Sequence, residues 1–189
     1  MSCAGGPWTV FQKRFDGSVD FYRSWREYKN GFGTASGEYW LGLHNIRLLT
    51  QMRPYRLRID LVDFENDARY GTYDTFSLSP MAIDPEEDGY KLHIGAFCDG
   101  DPKKPIGDSL RTQEEMNFST YDNDRDTLSG NCAVIFHGAS WYKDCHSANL
   151  NGLYLKGVTT EYAKGMTWAG WRGHYYSLKA SEMKIARMF

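Results

Sequence analysis

The sequence predicts a mixed α+β domain, and three observations carry that prediction. Several segments read as β-strands, and one alternates apolar and polar residues with the period of a half-buried strand. Two short stretches in the first quarter read as helices, one with its aromatic residues at helical spacing. From about residue 98 to 174 the pattern dissolves into Gly, Asp, Asn, Ser and Trp. Loop-dominated stretches of that length are uncommon unless functional or tied down.

In chain order, "PWTVFQKRF" (7–15) reads as a strand that turns at Asp16-Gly17. In "SVDFYRSWREYKNGFG" (18–33), Phe21, Trp25 and Tyr28 lie at helical spacing behind a Ser cap, and Asn30-Gly31 stops the helix. That aromatic stripe reads as core. "YWLGLHNIRLLTQ" (39–51) predicts a second short helix. "YRLRIDLVDF" (55–64) sets Leu57, Ile59 and Leu61 against Arg56, Arg58 and Asp60. "YGTYDTFSLS" (70–79) and "YKLHIGAF" (90–97) add two strands of an antiparallel sheet with one wet face. "YYSLKASEMKIARMF" (175–189) predicts one or two strands returning to that sheet. A sheet-forming part, about 1–97 plus 175–189, thus frames a site-forming part over about 98–174.

A length of 189 residues suits one domain, or one domain with a loosely built lobe. Lys+Arg 22 against Asp+Glu 24 gives a net charge of −2, so no global basic field points to nucleic acid. No run of about 18 apolar residues exists to span a bilayer. Aromatic residues at 15% and 19 glycines suit a loop-rich extracellular domain with a Tyr, Trp and Phe core. The opening "MSCAGGPWTV" lacks the basic start and apolar middle of a secretory signal, so a secreted protein would be represented here without its leader.

Cys3, Cys98, Cys132 and Cys145 form no C-x-x-C, and no zinc-finger spacing is completed. Cys132 and Cys145 close a short loop that favours a local disulfide, with two buried thiols as the alternative. A loop of that size contributes roughly 3 kcal/mol in the chain-entropy account. Cys3 and Cys98 either pair or stay reduced.

The stretch "YDNDRDTLSGNC" (121–132) puts Asp122, Asp124 and Asp126 on alternate positions. Oxygen donors without nitrogen or sulfur partners suit a hard cation, Ca2+ before Mg2+. An EF-hand counted from Asp122 fails, because Thr127 stands where Gly is needed and Ala133 where a bidentate Glu is needed. A curled loop with two Asp side chains and main-chain carbonyls around one ion remains, against a solvated acidic turn.

"DNDRDTLSGNCA", followed by "WYKDCHSANLNGLYL" and "YAKGMTWAGWRGHYYSLKASEMKI", resembles the C-terminal part of a fibrinogen-like domain. The upstream "WTVFQKRFDGSVDFYRSWREYKNGFG" and "GEYWLGLHNIRLLT" are similar to the same family, so the resemblance covers essentially the whole chain. It implies a twisted, mostly antiparallel sheet with a few helices and an irregular calcium-bearing lobe. The implied Ca2+ ligands are Asp124, Asp126 and the main-chain carbonyls of Leu128 and Gly130, with Asp122 outside the first shell. It also implies the Cys132–Cys145 disulfide and a cis peptide bond at Asp144–Cys145. In the family's lectin members an acetyl methyl enters an aromatic cup while main-chain N–H groups hold the acetyl oxygen. Here the N–H groups of Cys145 and His146 take that role, Phe136, Tyr162, Ala163 and His174 form the cup, and the His146 side chain stands at its wall.

Three positions depart from the lectin pattern: Phe136 replaces a Tyr, His174 a Trp or Tyr, and Ser140 an aromatic. His174 charges near pH 6.5, which would weaken an apolar cup in acid. The resemblance also implies a further stretch ahead of "WTVFQKR" with an early disulfide, of which Cys3 is a remnant, and multimerisation of the full-length protein. Trp141, Trp168 and Trp171 read as core, and His44, His93 and His137 as structural or exposed. Asn117-Phe118-Ser119 is a glycosylation sequon. No Arg-Gly-Asp, G-x-S-x-G, H-E-x-x-H or P-loop occurs. The expected function is a secreted, non-catalytic, calcium-binding recognition domain for acetylated groups, such as N-acetylglucosamine, on glycans or microbial surfaces. The alternative is an extracellular-matrix module, of microfibril or elastic-fibre type, that binds proteins beside a vestigial sugar pocket.

Overall fold

The computed structural model describes residues 7–188. In chain order the elements are β1 (Thr9–Arg14), α1 (Trp25–Asn30), β2 (Phe32–Gly33), β3 (Tyr39–Trp40), α2 (Leu43–Gln51), β4 (Tyr55–Val62), β5 (Ala68–Leu78), β6 (Leu92–Ile94) and β7 (Phe97–Asp99). The lobe follows with α3 (Cys132–Phe136), β8 (Ala148–Asn149), β9 (Gly157–Val158), β10 (Thr167–Trp168) and α4 (Ala169–Arg172). The chain closes with β11 (Tyr176–Ser177) and β12 (Ala180–Arg187).

The main sheet runs β2-β3-β1-β12-β4-β5-β6, with β7 also on β5, and its named pairings are antiparallel. The last long strand lies between β1 and β4, in register Ala180↔Val62 through Arg187↔Tyr55. The alternation in "YRLRIDLV" buries Leu57, Ile59 and Leu61 and leaves Arg58 and Asp60 on the wet face, where Lys184 joins Asp60 at 2.8 Å.

Local chemistry moved three expected boundaries. The first helix starts at Trp25 rather than near residue 18, because Ser24 and Glu27 form a reciprocal capping box. Phe21 therefore precedes the helix, although it is buried as expected. The expected 39–51 helix divides at Gly42, whose φ of 103° admits the bend between β3 and α2. The 90–97 strand divides into β6 and β7 at Gly95, where a Cβ would fall 1.8 Å from Asp74 Oδ1.

An aromatic cluster joins sheet and lobe. Trp40 on β3 meets Phe11 at 5.8 Å, Phe118 at 5.7 Å and Trp141 at 6.3 Å between ring centroids, and Tyr28 of α1 meets Phe118 at 5.2 Å. Trp141 and Trp168 are core, as expected; Trp171 is only partly buried at the edge of the core, with the Arg69 guanidinium over its ring at 4.9 Å. Two buried polar residues of β1 reach the same lobe. Gln12 donates to the Leu150 carbonyl and Asn151 Oδ1, and Arg14 donates to the carbonyls of Leu150 and Gly152.

The turn after β1 is built on Glu38. Its Oε1 accepts the N–H groups of Phe15, Asp16 and Gly17 at 2.7 to 2.9 Å, and Oε2 accepts Val19 N–H. Burial pushes the Glu38 carboxyl up, but the four N–H donors outweigh it and leave its pKa below the usual value. That charge thus stabilises the fold above the ordinary Glu range, and the contribution is lost as pH falls through the depressed value. Glu38→Ala leaves four turn N–H groups without this acceptor and is expected to cost about 3 kcal/mol or more. Urea unfolding would show this as a lower midpoint at unchanged slope.

Candidate functional site

The acidic loop resolves into separate roles. Asp122 Oδ1 accepts Trp25 N–H at 2.8 Å and the Thr120 hydroxyl at 2.7 Å, so this carboxylate serves the first turn of α1. Asp126 accepts Leu128 N–H at 2.9 Å and Cys132 N–H at 2.8 Å, and its own N–H donates to Asp124 Oδ1 at 3.2 Å. Burial first, and the neighbouring Asp124 carboxylate after it, raise the Asp126 pKa above the usual Asp value. Among the described residues, no Lys, Arg or His forms an ion pair with Asp124 or Asp126. No group of three His, Cys, Asp or Glu converges there either, so an ion would also need main-chain oxygen. The carbonyls of Leu128 and Gly130 accept no backbone hydrogen bond among the described residues.

Asn131 ends the loop and starts α3, where its side chain accepts Val134 N–H at 3.0 Å. Cys132 in the first turn of that helix bonds Cys145, with Cα atoms 5.4 Å apart. The helix stops at His137 in the left-handed conformation, and its ring lies 5.3 Å from Tyr22. His137 thus has a packing role, His44 is exposed, and His93 is half-buried on β6.

The expected cup residues come together. Phe136 meets His146 edge-on at 4.8 Å, and Tyr162 meets His174 at 5.2 Å and Phe136 at 6.5 Å. His146 and His174 lie 6.1 Å apart. Ala163 is buried at φ 58° and donates its N–H to the His174 carbonyl, which joins the two cup-forming stretches. The N–H groups of Cys145 and His146 donate to no protein acceptor among the described residues.

Two expectations are corrected here. The Asp144–Cys145 bond is trans, as are the other described peptide bonds. Trans lies about 3–4 kcal/mol below cis for a residue other than proline, and Lys143 N–H closes this turn onto the Cys145 carbonyl at 2.9 Å. His174 does not titrate at the ordinary 6.5, because partial burial moves its pKa down. The effect is stronger at His146, where burial and the neighbouring His174 lower the pKa to about 3. Both His146 ring nitrogens are shielded from solvent and lack a hydrogen-bond partner. A neutral imidazole here makes the wall more apolar than a surface histidine would be.

Sequence reasoning missed the residue that assembles the cup. Asn149, fully buried on β8, donates to the carbonyls of Phe136 and Ala163, both at 3.3 Å, and accepts the Tyr142 hydroxyl at 2.7 Å. The surrounding glycines make room for it: a Cβ on Gly138 would sit 2.6 Å from Asn149 Oδ1, and one on Gly152 would sit 2.6 Å from Nδ2. "SANLNG" reads as an ordinary polar turn and carries no period to distinguish Asn149. Asn117 is half-buried, with its Oδ1 enclosed and unpartnered and its side chain packed where a Cβ on Gly89 would stand. Cys98 is exposed on β7, and its proposed bridge to Cys3 lies outside the described residues.

Fold and site together define a fibrinogen-type globular domain. The family described as fibrinogen beta and gamma chains, C-terminal globular domain, matches residues 1–188, and the chain belongs to it. Microfibril-associated glycoprotein 4 of Mus musculus is 55% identical over 99% of this chain and 71% of its own length. Fibrinogen C domain-containing protein 1 of Xenopus tropicalis is 50% identical over 98% of this chain and 39% of its own. The fibrinogen-like globe domain of human ANGPTL6 superposes with a TM-score of 0.90 at 41% identity, covering 99% of this chain and 81% of that one. A lamprey fibrin D-dimer, solved with the peptide ligand Gly-His-Arg-Pro-amide, reaches 0.87 at 38%, covering 96% and 62%.

Asn149→Asp keeps the shape but loses the donors to two buried carbonyls, and is expected to destabilise the protein by about 2–4 kcal/mol in urea unfolding. The unfolded chain protonates His146 near its ordinary 6.5 while the folded form resists until about 3. Stability therefore falls on acidification through that window, by up to about 1.4 kcal/mol per pH unit. His146→Phe flattens the dependence of the unfolding midpoint over the same range.

Proposed function

We infer that this domain is an extracellular recognition module that binds acetylated groups without catalysis, steadied by Ca2+ in the acidic loop that leads into the Cys132–Cys145 disulfide. The carrying observation is the pairing of the Phe136, His146, Tyr162 and His174 rings with the unengaged N–H groups of Cys145 and His146. An acetamido group has one methyl to bury and one strong acceptor, and a ring cup with two donors answers both. Affinity per site is modest, so useful binding comes from several domains on one multimer engaging a repetitive surface.

The loop donors fit a hard cation: two adjacent carboxylates without a counter-charge, plus the Leu128 and Gly130 carbonyls. Asp124, Asp126, Leu128 and Gly130 would hold the ion, which supplies positive charge that offsets the carboxylate repulsion. Asp126 also accepts Cys132 N–H, and Cys132 is bonded to Cys145. Order in the loop thus passes to the residue whose N–H faces the ligand.

The similarity to microfibril-associated glycoprotein 4 supports a second reading, a module that binds matrix proteins through another surface. Competition separates the two. N-acetylglucosamine displaces the domain from a bound surface under the first reading and has no effect under the second. Asp124→Ala or Asp126→Ala is expected to abolish the rise in melting temperature on adding Ca2+ and to weaken acetyl binding indirectly. Tyr162→Ala is expected to weaken acetyl binding and leave Ca2+ affinity unchanged. An unmoved melting temperature for the intact protein in Ca2+ would refute the metal reading, and steady acetate release from acetylated sugars would refute the non-catalytic one.

A further inference from the structure

We propose that Tyr175, with Tyr162, forms an outer subsite that stacks the sugar ring next to the acetamido sugar in the cup. The ligand is then an N-acetylated oligosaccharide rather than a single residue. This rests on the acetyl-binding reading above and adds its specificity.

The observation is a chain of rings that runs from the interior to the surface. Tyr142 is buried and meets His146 at 5.6 Å; His146 meets Phe136 and His174; His174 meets Tyr162 at 5.2 Å; Tyr162 meets Tyr175 at 5.2 Å. Exposure rises along it to 50% at Tyr162 and 56% at Tyr175, so the last two rings stand open beside the cup. They meet at 59° and form a corner rather than a flat wall.

The corner is held by backbone on both sides. Ala163 N–H donates to the His174 carbonyl at 2.9 Å, and Thr159 N–H donates to the Tyr175 carbonyl at 3.0 Å. The Thr159 hydroxyl accepts Glu161 N–H at 3.0 Å, and Glu161 pairs with Lys164 at 2.7 Å, which braces the segment carrying Tyr162. With the backbone set before binding, only the two side-chain torsions of each tyrosine remain to be ordered on contact, so its apolar face contributes more fully to affinity. Tyrosine suits such a place, with an apolar face for the C–H side of a pyranose and a hydroxyl that stays wet.

The occupant follows from continuity with the cup. An acetamido group seated between Phe136, Tyr162 and His174 leaves its glycosidic bonds directed out of the cup. The exposed face beside it is Tyr175, one ring beyond Tyr162. A peptide would need donors and acceptors for its backbone, whereas two tyrosine faces at a corner match the alternating apolar and hydroxyl faces of a sugar chain.

The test measures binding of N-acetylglucosamine and of its β1,4-linked dimer to the Ca2+-loaded protein by calorimetry. Two acetamido groups per ligand raise apparent affinity by only about twofold on statistical grounds. The dimer is expected to bind about tenfold more tightly than the monosaccharide, a gain of about 1.4 kcal/mol. Tyr175→Ala should abolish that gain and leave monosaccharide affinity within about twofold, while Tyr175→Phe should keep it. A dimer gain no larger than the statistical one overturns the subsite but leaves the cup intact. Equal weakening of both ligands by Tyr175→Ala, with an unchanged melting temperature, also overturns it, because Tyr175 would then belong to the cup itself. Binding of neither sugar removes the acetyl reading and the subsite together.

Discussion

The Asn149 side chain ties three stretches of the lobe to one point, donating to the Phe136 and Ala163 carbonyls and accepting the Tyr142 hydroxyl. Its position explains how a region with few ladders keeps a definite shape. Buried peptide groups need partners, and where strands are only two residues long a side-chain amide has to supply them. Asn149 can do so because it offers two donors and an acceptor within one rigid plane. The close approach of Gly138 and Gly152 completes the arrangement, since a Cβ at either would displace the amide.

Around that point the lobe is fastened to the sheet from two directions. Gln12 and Arg14 reach out of β1 to carbonyls at 150 and 152, while Trp40, Phe118 and Trp141 pack across the seam. The Arg14 guanidinium is buried, which lowers its pKa; Glu38, itself held by four N–H groups, offsets part of that cost. The cup therefore sits on a network in which most polar groups have designated partners. Among the described residues, the polar groups of the cup without a protein partner include the N–H groups of Cys145 and His146 and the buried His146 ring nitrogens.

The alternation of residues 55–62 determined which face of β4 is buried, because side chains on a strand alternate strictly. Likewise, the run of Asp, Gly and Ser before Cys132 marked an oxygen-rich loop, and the order of motifs along the chain named the family. Helix starts were less legible. The capping box at Ser24 and Glu27 overrode the helical spacing of Phe21, since satisfying end N–H groups outweighs a weak propensity. Asp122 was legible as a carboxylate but not as the acceptor for Trp25, whose N–H lies 97 residues earlier.

What the chain alone determined is therefore local and compositional: strand faces, the loop chemistry, the cysteines able to pair and, through the family resemblance, the residues expected to line the cup. The tertiary structure decided which of those rings meet, that His146 stays neutral, that the Asp144–Cys145 bond is trans, and that Tyr175 faces solvent beside Tyr162. The reason is distance along the chain. Contacts between residues 136, 146, 162 and 174 depend on loop paths set by buried amides and close-fitting glycines, and those paths leave no periodic mark in the residues that follow them.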